Sequence, residues 1–190
     1  MSTLKNESAA HENDPASREA EAKHIVQNNN KDESSGQEAF SEYIRKMDIK
    51  VFLLDDEYLI CEAMRVKLLS EKDIHFYALQ DPEQALKAIK DFQPTVILQD
   101  LVMPQVNGLQ MLKKFKSVNE LSDIPLIVLS AREEPELKTR ALSLGADDYM
   151  IKLPEKQDLI TKIRVHSKCY IYKKQRDDLL LKVQQCLNFK

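Results

Sequence analysis

A chain of 190 residues with 43% hydrophobic content can bury one core of ordinary size and is too short for two well-packed enzyme domains. A net charge of -3 gives no electrostatic reason to expect nucleic acid or an anionic membrane as the principal partner, which leaves another protein or a small ligand. The opening MSTLKNESAAHENDPAS lacks a secretory apolar stretch, and no segment approaches the roughly 20 apolar residues that cross a bilayer, so no membrane insertion and a cytoplasmic location are expected. Cys61, Cys169 and Cys186, an odd set without CxxC spacing, read as reduced thiols rather than a disulfide framework or zinc site.

Residues 1–36, rich in Asn, Ser, Glu, Lys and Ala, cannot bury enough apolar surface to offset the entropy of ordering, and read as a disordered polar tail. Over residues 37–47, Phe40, Ile44 and Met47 share one face of a short helical lead-in. A main domain over 48–168 then alternates short apolar runs with amphipathic stretches. Ile49 to Leu54, His75 to Leu79, Thr95 to Leu98, Leu126 to Leu129 and Tyr149 to Ile151 each read as a strand, and near-continuous apolarity implies burial on both faces of a parallel sheet. Asp81-Pro82 announces a helix with Ala85, Ile89 and Phe92 on one face, and Asn107-Gly108 a tight turn before Leu109, Leu112 and Phe115. Gly145 stops a helix running from Pro135 to Leu144. The expected fold class is α/β, five β-α units with helices on both faces of the sheet.

After Pro154 neither Gly nor Pro occurs, so one helix can run from about Lys156 to near Leu187. Leu159, Ile163, His166 and Tyr170 can pack on the sheet. Residues 169–190 extend it, with Leu179, Leu180, Val183, Cys186 and Leu187 continuing an apolar stripe suited to a stalk or dimer contact.

In an open parallel sheet, ligands collect beyond the C-terminal ends of the strands. Asp55 and Asp56 follow the first strand and Asp100 the third, so the three acids share a pocket if those strands are neighbours. Singly, each is an ordinary helix cap, Asp56 above all. Together they repel: two unit charges about 4 Å apart interact by roughly 4 kcal/mol at an effective dielectric near 20. A hard divalent cation relieves this, and oxygen ligands with room for water and phosphate suit Mg²⁺. Ser130 closes the fourth strand with a hydroxyl, and Lys152 closes the fifth with a positive charge; both can hold phosphoryl oxygens.

These residues resemble the receiver domain of bacterial response regulators over about Ile49 to Lys168. The matching pieces are Asp55-Asp56, Asp100 to Pro104 with Asn107-Gly108, Ser130-Ala131, and Gly145-Ala146-Asp147-Asp148-Tyr149 leading to Lys152. The resemblance implies a flavodoxin-like strand order, Asp100 as phosphoacceptor, and Mg²⁺ held by Asp56, Asp100 and the Val102 carbonyl, with Asp55 acting mainly through water. It further implies Lys152 and Ser130 on the phosphoryl oxygens, a sensor histidine kinase or phosphotransfer protein as donor, and Ser130 and Tyr149 as the switch pair. The output would be protein association, including a homodimer formed on phosphorylation, and the chain would catalyse only its own phosphorylation and dephosphorylation. Receivers usually place Pro directly after the last Lys, often with a cis bond; here Leu153 intervenes.

Lys152-Leu153-Pro154, the segment Leu98 to Pro104 and the run IRVHSKCYIYKKQR from Ile163 to Arg176 look like the receiver half of Wsp-type diguanylate cyclases, although no GG[DE]EF signature occurs. Two other classes stay open at this level. One is an aspartyl-phosphate phosphohydrolase, which would place DxD after the first strand and carry a cap domain. The other is a docking module that has lost phosphorylation. The basic residues from Lys162 to Arg176 read as a solvated helix face.

Overall fold

The computed structural model describes residues 48–104 and 106–188; the expected polar tail and helical lead-in lie outside the described residues. Five strands form one parallel sheet: β1 (Ile49–Leu54), β2 (Ile74–Leu79), β3 (Val96–Asp100), β4 (Leu126–Ser130) and β5 (Asp148–Ile151), in the order β2-β1-β3-β4-β5. Between and after them run α1 (Tyr58–Leu68), α2 (Ala85–Phe92), α3 (Gly108–Ser117), α4 (Pro135–Ser143) and α5 (Lys156–Asn188). This is the flavodoxin-like, doubly wound arrangement.

Strand periodicity explains the two cores. Phe52, Leu54, Ile97 and Val128 point to the side covered by α2, α3 and α4, where they meet Ile89, Leu112, Phe115 and Ala141. Their alternates Val51, Leu53, Leu98 and Leu129 point to the other side, against Met64 of α1 and Leu159 and Ile163 of α5. Both faces of β1, β3 and β4 are thus buried, as their unbroken apolar runs require. β2, at the sheet edge, is only half-buried, and its Tyr77 stacks on Phe52 with ring centroids 5.7 Å apart.

The punctuation residues act where expected, with one correction. Asp81 accepts the Glu83 N–H at 2.9 Å and opens a 3₁₀ turn over Pro82–Gln84 that leads into α2. Gly145, at φ 103°, follows the end of α4. Asn107-Gly108, however, is a helix start rather than a tight turn. The Asn107 side chain accepts the N–H groups of Leu109 and Gln110 at 3.0 and 3.2 Å and so caps α3. Gly108 is required by close approach, since a Cβ there would lie 2.5 Å from the Leu101 backbone.

At 33 residues, α5 is the longest helix described. A rise of about 1.5 Å per residue makes it about 50 Å long. Leu159 and Ile163 are fully buried, His166 and Tyr170 half-buried, and the residues from Leu179 to Leu187 exposed. No helix among the described residues is long and apolar enough to cross a membrane.

Candidate functional site

Because β1 and β3 are neighbours, with Leu54 in register with Gln99, the acids that follow β1 face the acid that ends β3. One carboxylate oxygen from each of Asp55, Asp56 and Asp100 lies within 4.8 Å of the others. Asp55 and Asp100 are fully buried, Asp56 partly so. Lys152, just past β5, spans the sheet edge to reach them. Its Nζ sits 3.1 Å from Asp55 Oδ2, 3.1 Å from Asp100 Oδ2 and 2.7 Å from Glu57 Oε1.

The remaining lone pairs are held by main chain. Asp55 Oδ1 accepts the Glu57 N–H at 3.0 Å, and Asp100 Oδ1 the Val102 N–H at 3.1 Å. Asp55 Oδ2 and Asp100 Oδ2 stand at ion-pair distance from Lys152 without hydrogen-bond alignment, and Asp56 Oδ1 is likewise buried without a hydrogen-bond partner. Each acid thus keeps a buried oxygen without an aligned hydrogen bond, and three carboxylates within one ion's reach of each other are costly when a single ammonium is all that neutralises them. An all-oxygen donor set of this kind fits a hard divalent cation.

Burial dominates the electrostatics. It pushes the Asp55 carboxyl up to about 6, against the lowering pull of the Glu57 N–H and Lys152, and it raises Asp100 as well. Burial alone would lower Lys152, but its hydrogen bond to Glu57 and the negative charges of Asp55 and Asp100 outweigh that and hold the ammonium above its ordinary value. The amine is therefore a fixed positive charge at the phosphoacceptor candidate.

Ser130 ends β4 and Tyr149 lies in β5, and their hydroxyls meet at one main-chain carbonyl. Both donate to the Arg132 carbonyl, at 3.0 Å from Ser130 and 2.9 Å from Tyr149. Tyr149, the other member of the expected switch pair, lies in the core at 6% exposure. Val102 is brought to the site through its N–H, with its side chain exposed. Leu153 accommodates its extra position by adopting φ 56°, a left-handed conformation, so Lys152 keeps its place while the described peptide bonds all stay trans.

Three participants escaped sequence reasoning. Glu57 was legible as a third consecutive acid. Gln99 was legible as a polar residue in an otherwise apolar strand; fully buried, it donates from Nε2 to the Gly108 carbonyl at 2.7 Å, pinning the start of α3 to β3. Nothing in the sequence marks Arg132, whose part is played by its carbonyl.

Comparison with known proteins agrees with this geometry. The family model described as "Response regulator receiver domain" matches residues 51–164. Response regulator MprA of Mycolicibacterium vanbaalenii is 29% identical over 118 residues, covering 62% of this chain and 50% of the relative. Transcriptional regulatory protein DegU of Brevibacillus brevis is 26% identical over 151 residues, covering 78% and 63%. Among solved structures, the receiver domain of the Francisella response regulator 1452 is similar at 30% identity and a TM-score of 0.56, covering 63% of this chain and 97% of that one. The chain spans about half the length of the MprA relatives it matches. The match over residues 51–164, on a sheet whose order brings the three acids together, establishes that this chain belongs to the response regulator receiver domain family of two-component systems.

Proposed function

We infer that Asp100 accepts a phosphoryl group from the phosphohistidine of a sensor histidine kinase or phosphotransfer protein, and that the modification switches protein association. The observation that supports this most is Asp100 itself: a fully buried carboxylate, with Lys152 Nζ 3.1 Å from Oδ2 and two further acids within one ion's reach. In the transfer, a P–O bond forms to Asp100 and the donor's P–N bond breaks, the imidazole nitrogen taking up a proton. Asp56, Asp100 and the Val102 carbonyl would hold Mg²⁺ directly and Asp55 through water, and the ion would supply charge neutralisation at the phosphoryl group. Lys152 offers a charged hydrogen bond to a phosphoryl oxygen, and Ser130 a neutral one once its hydroxyl leaves Arg132. Exposed Tyr58 and Leu59 at the start of α1, with Leu153 beside Lys152, give the donor protein apolar surface next to the acids.

The shared Arg132 carbonyl supports the switch. Drawing the Ser130 hydroxyl toward a phosphoryl group removes one of two donors from that carbonyl, so the loop after β4 and the Tyr149 ring must readjust together. Phosphorylation then shifts a conformational equilibrium by its difference in interaction energy between the two forms. The readout is homodimerisation or another protein contact through the α4-β5-α5 face or the end of α5, in the cytoplasm, without nucleic acid. The chain turns over only its own phosphoryl group. The likeness of its tail to Wsp-type cyclases gains no support from the relatives named above.

Incubation with Mg²⁺ and a small phosphodonor should add one phosphoryl mass, and beryllofluoride should alter exposure around Tyr149. Asp100→Asn should abolish both. Labelling that persists in the variant would refute the assignment, as would multiple turnover of a phosphomonoester.

A further inference from the structure

Glu57 stands at the N-cap of α1, but its side chain makes no capping bond. Its carboxylate instead takes the Lys152 ammonium at 2.7 Å, the shortest contact that amine makes. The aligned hydrogen bond from Lys152 to Asp55 Oδ1 is long, at 3.4 Å, and Asp100 Oδ2, at 3.1 Å, lies within ion-pair reach without alignment. The strongest hydrogen bond of the amine is therefore made to Glu57 and not to the phosphoacceptor.

The three acids around this amine differ in their freedom to move. Asp55 and Asp100 are fully buried, and each is tied through Oδ1 to a main-chain N–H. The Glu57 side chain is 58% exposed, and among the described residues its carboxylate has no partner besides Lys152. An ammonium has three N–H donors, and three carboxylates already surround this one, so a phosphoryl oxygen gains a donor only where one acceptor withdraws. Glu57 is the acceptor free to do so.

We propose that Glu57 is a positioning residue that competes with the incoming phosphoryl group for the Lys152 ammonium, so that transfer to Asp100 requires the Glu57 side chain to swing into solvent. The proposal rests on Asp100 as the phosphoacceptor and adds a brake to that same site. Charge points the same way. Asp55, Asp56, Glu57 and Asp100 face an incoming anion with one ammonium among them, and Glu57 occupies the cation that would hold that anion. Neutralising Glu57 leaves the three converging acids in place and frees one N–H for a phosphoryl oxygen. Water screens a pair whose carboxylate is this exposed, so the gain is modest, about three- to ten-fold in the rate of labelling.

The test follows labelling of the full chain by acetyl phosphate in saturating Mg²⁺, in which a P–O bond forms to Asp100 and the donor's P–O bond breaks as acetate leaves. Glu57→Gln should label about three- to ten-fold faster than wild type. The same substitution made in Lys152→Met should change the slower rate of that variant by less than two-fold, because the competition runs through the amine. An equal acceleration in both backgrounds would overturn the proposal in favour of direct repulsion between Glu57 and the phosphodonor. A Glu57→Gln rate equal to or below that of wild type would also overturn it, while leaving Asp100 as the phosphoacceptor. Failure of the wild-type chain to label at all would remove that assignment and the proposal with it. A second readout does not depend on transfer. Addition of beryllofluoride should shift the ¹³C resonance of the Glu57 carboxylate in wild type and leave it in place in Lys152→Met. A resonance that stays fixed in wild type would show that Glu57 keeps its hold on Lys152, and would overturn the displacement.

Discussion

Replacing Asp55 by Asn removes one of the converging acids without changing side-chain volume, and at neutral pH in EDTA it should stabilise the fold. Burial raises this carboxyl from 3.8 to about 6, so the folded state binds its proton more tightly than the unfolded chain does. Stability from the group is complete below pH 3.8 and is lost as pH rises through about 6. Raising the carboxyl from 3.8 to about 6 corresponds to about 3 kcal/mol against folding above pH 7, and about half of that at pH 5. Asn carries no such penalty and can still accept the Glu57 N–H through its Oδ1. Urea unfolding in EDTA should therefore show Asp55→Asn more stable than wild type by up to about 3 kcal/mol at pH 7.5 and by about half as much at pH 5, with unchanged m-values. Mg²⁺ at about ten times its Kd should stabilise wild type by about 1.4 kcal/mol and the variant by less. A variant less stable than wild type at pH 7.5 in EDTA, or an equal Mg²⁺ increment in both proteins, would refute the electrostatic reasoning.

Lys152→Met should slow phosphoryl labelling of Asp100 by about 10- to 100-fold, the worth of one charge-assisted hydrogen bond, while divalent-ion binding, followed by calorimetry, persists. Gln99→Leu loses the bond to the Gly108 carbonyl but also the buried, unpartnered Oε1, so stability should change by less than about 1 kcal/mol. Metal affinity should nevertheless fall several-fold, because the loop carrying Val102 is no longer pinned. At Leu153, φ 56° excludes proline, so Leu153→Pro should cost about 3 kcal/mol or more in urea unfolding. Leu153→Gly should stay within about 1 kcal/mol of wild type, relief of left-handed strain offsetting the added freedom of the unfolded chain.

Local physics made much of the fold readable. Runs such as IKVFLL and LIVLS are apolar at every position or nearly so, which only strands covered on both faces require, and these became β1 and β4. Asp81 and Gly145 mark element ends by chemistry that acts within a few residues. The absence of Gly and Pro after Pro154 likewise anticipated the full extent of α5. Asn107-Gly108 misled because one dipeptide suits both a turn and a helix cap; what separates them is the Leu101 backbone pressed against Gly108, and no local pattern records it.

The acids, Ser130 and Lys152 could be named as strand-end residues, and their roles came from resemblance to a family. Their meeting was decided by strand order, which sequence spacing leaves open. Lys152 and Asp55 are 97 positions apart and touch because β5, β4, β3 and β1 lie side by side. Tertiary structure alone also gave Lys152 its third carboxylate in Glu57, turned Ser130 and Tyr149 onto one carbonyl, and put Leu153 in a left-handed conformation. Side-chain type sets which chemistry is available, periodicity sets which face it occupies, and packing of distant segments sets which groups come within 3 Å of one another, the distance on which charge and hydrogen bonding depend.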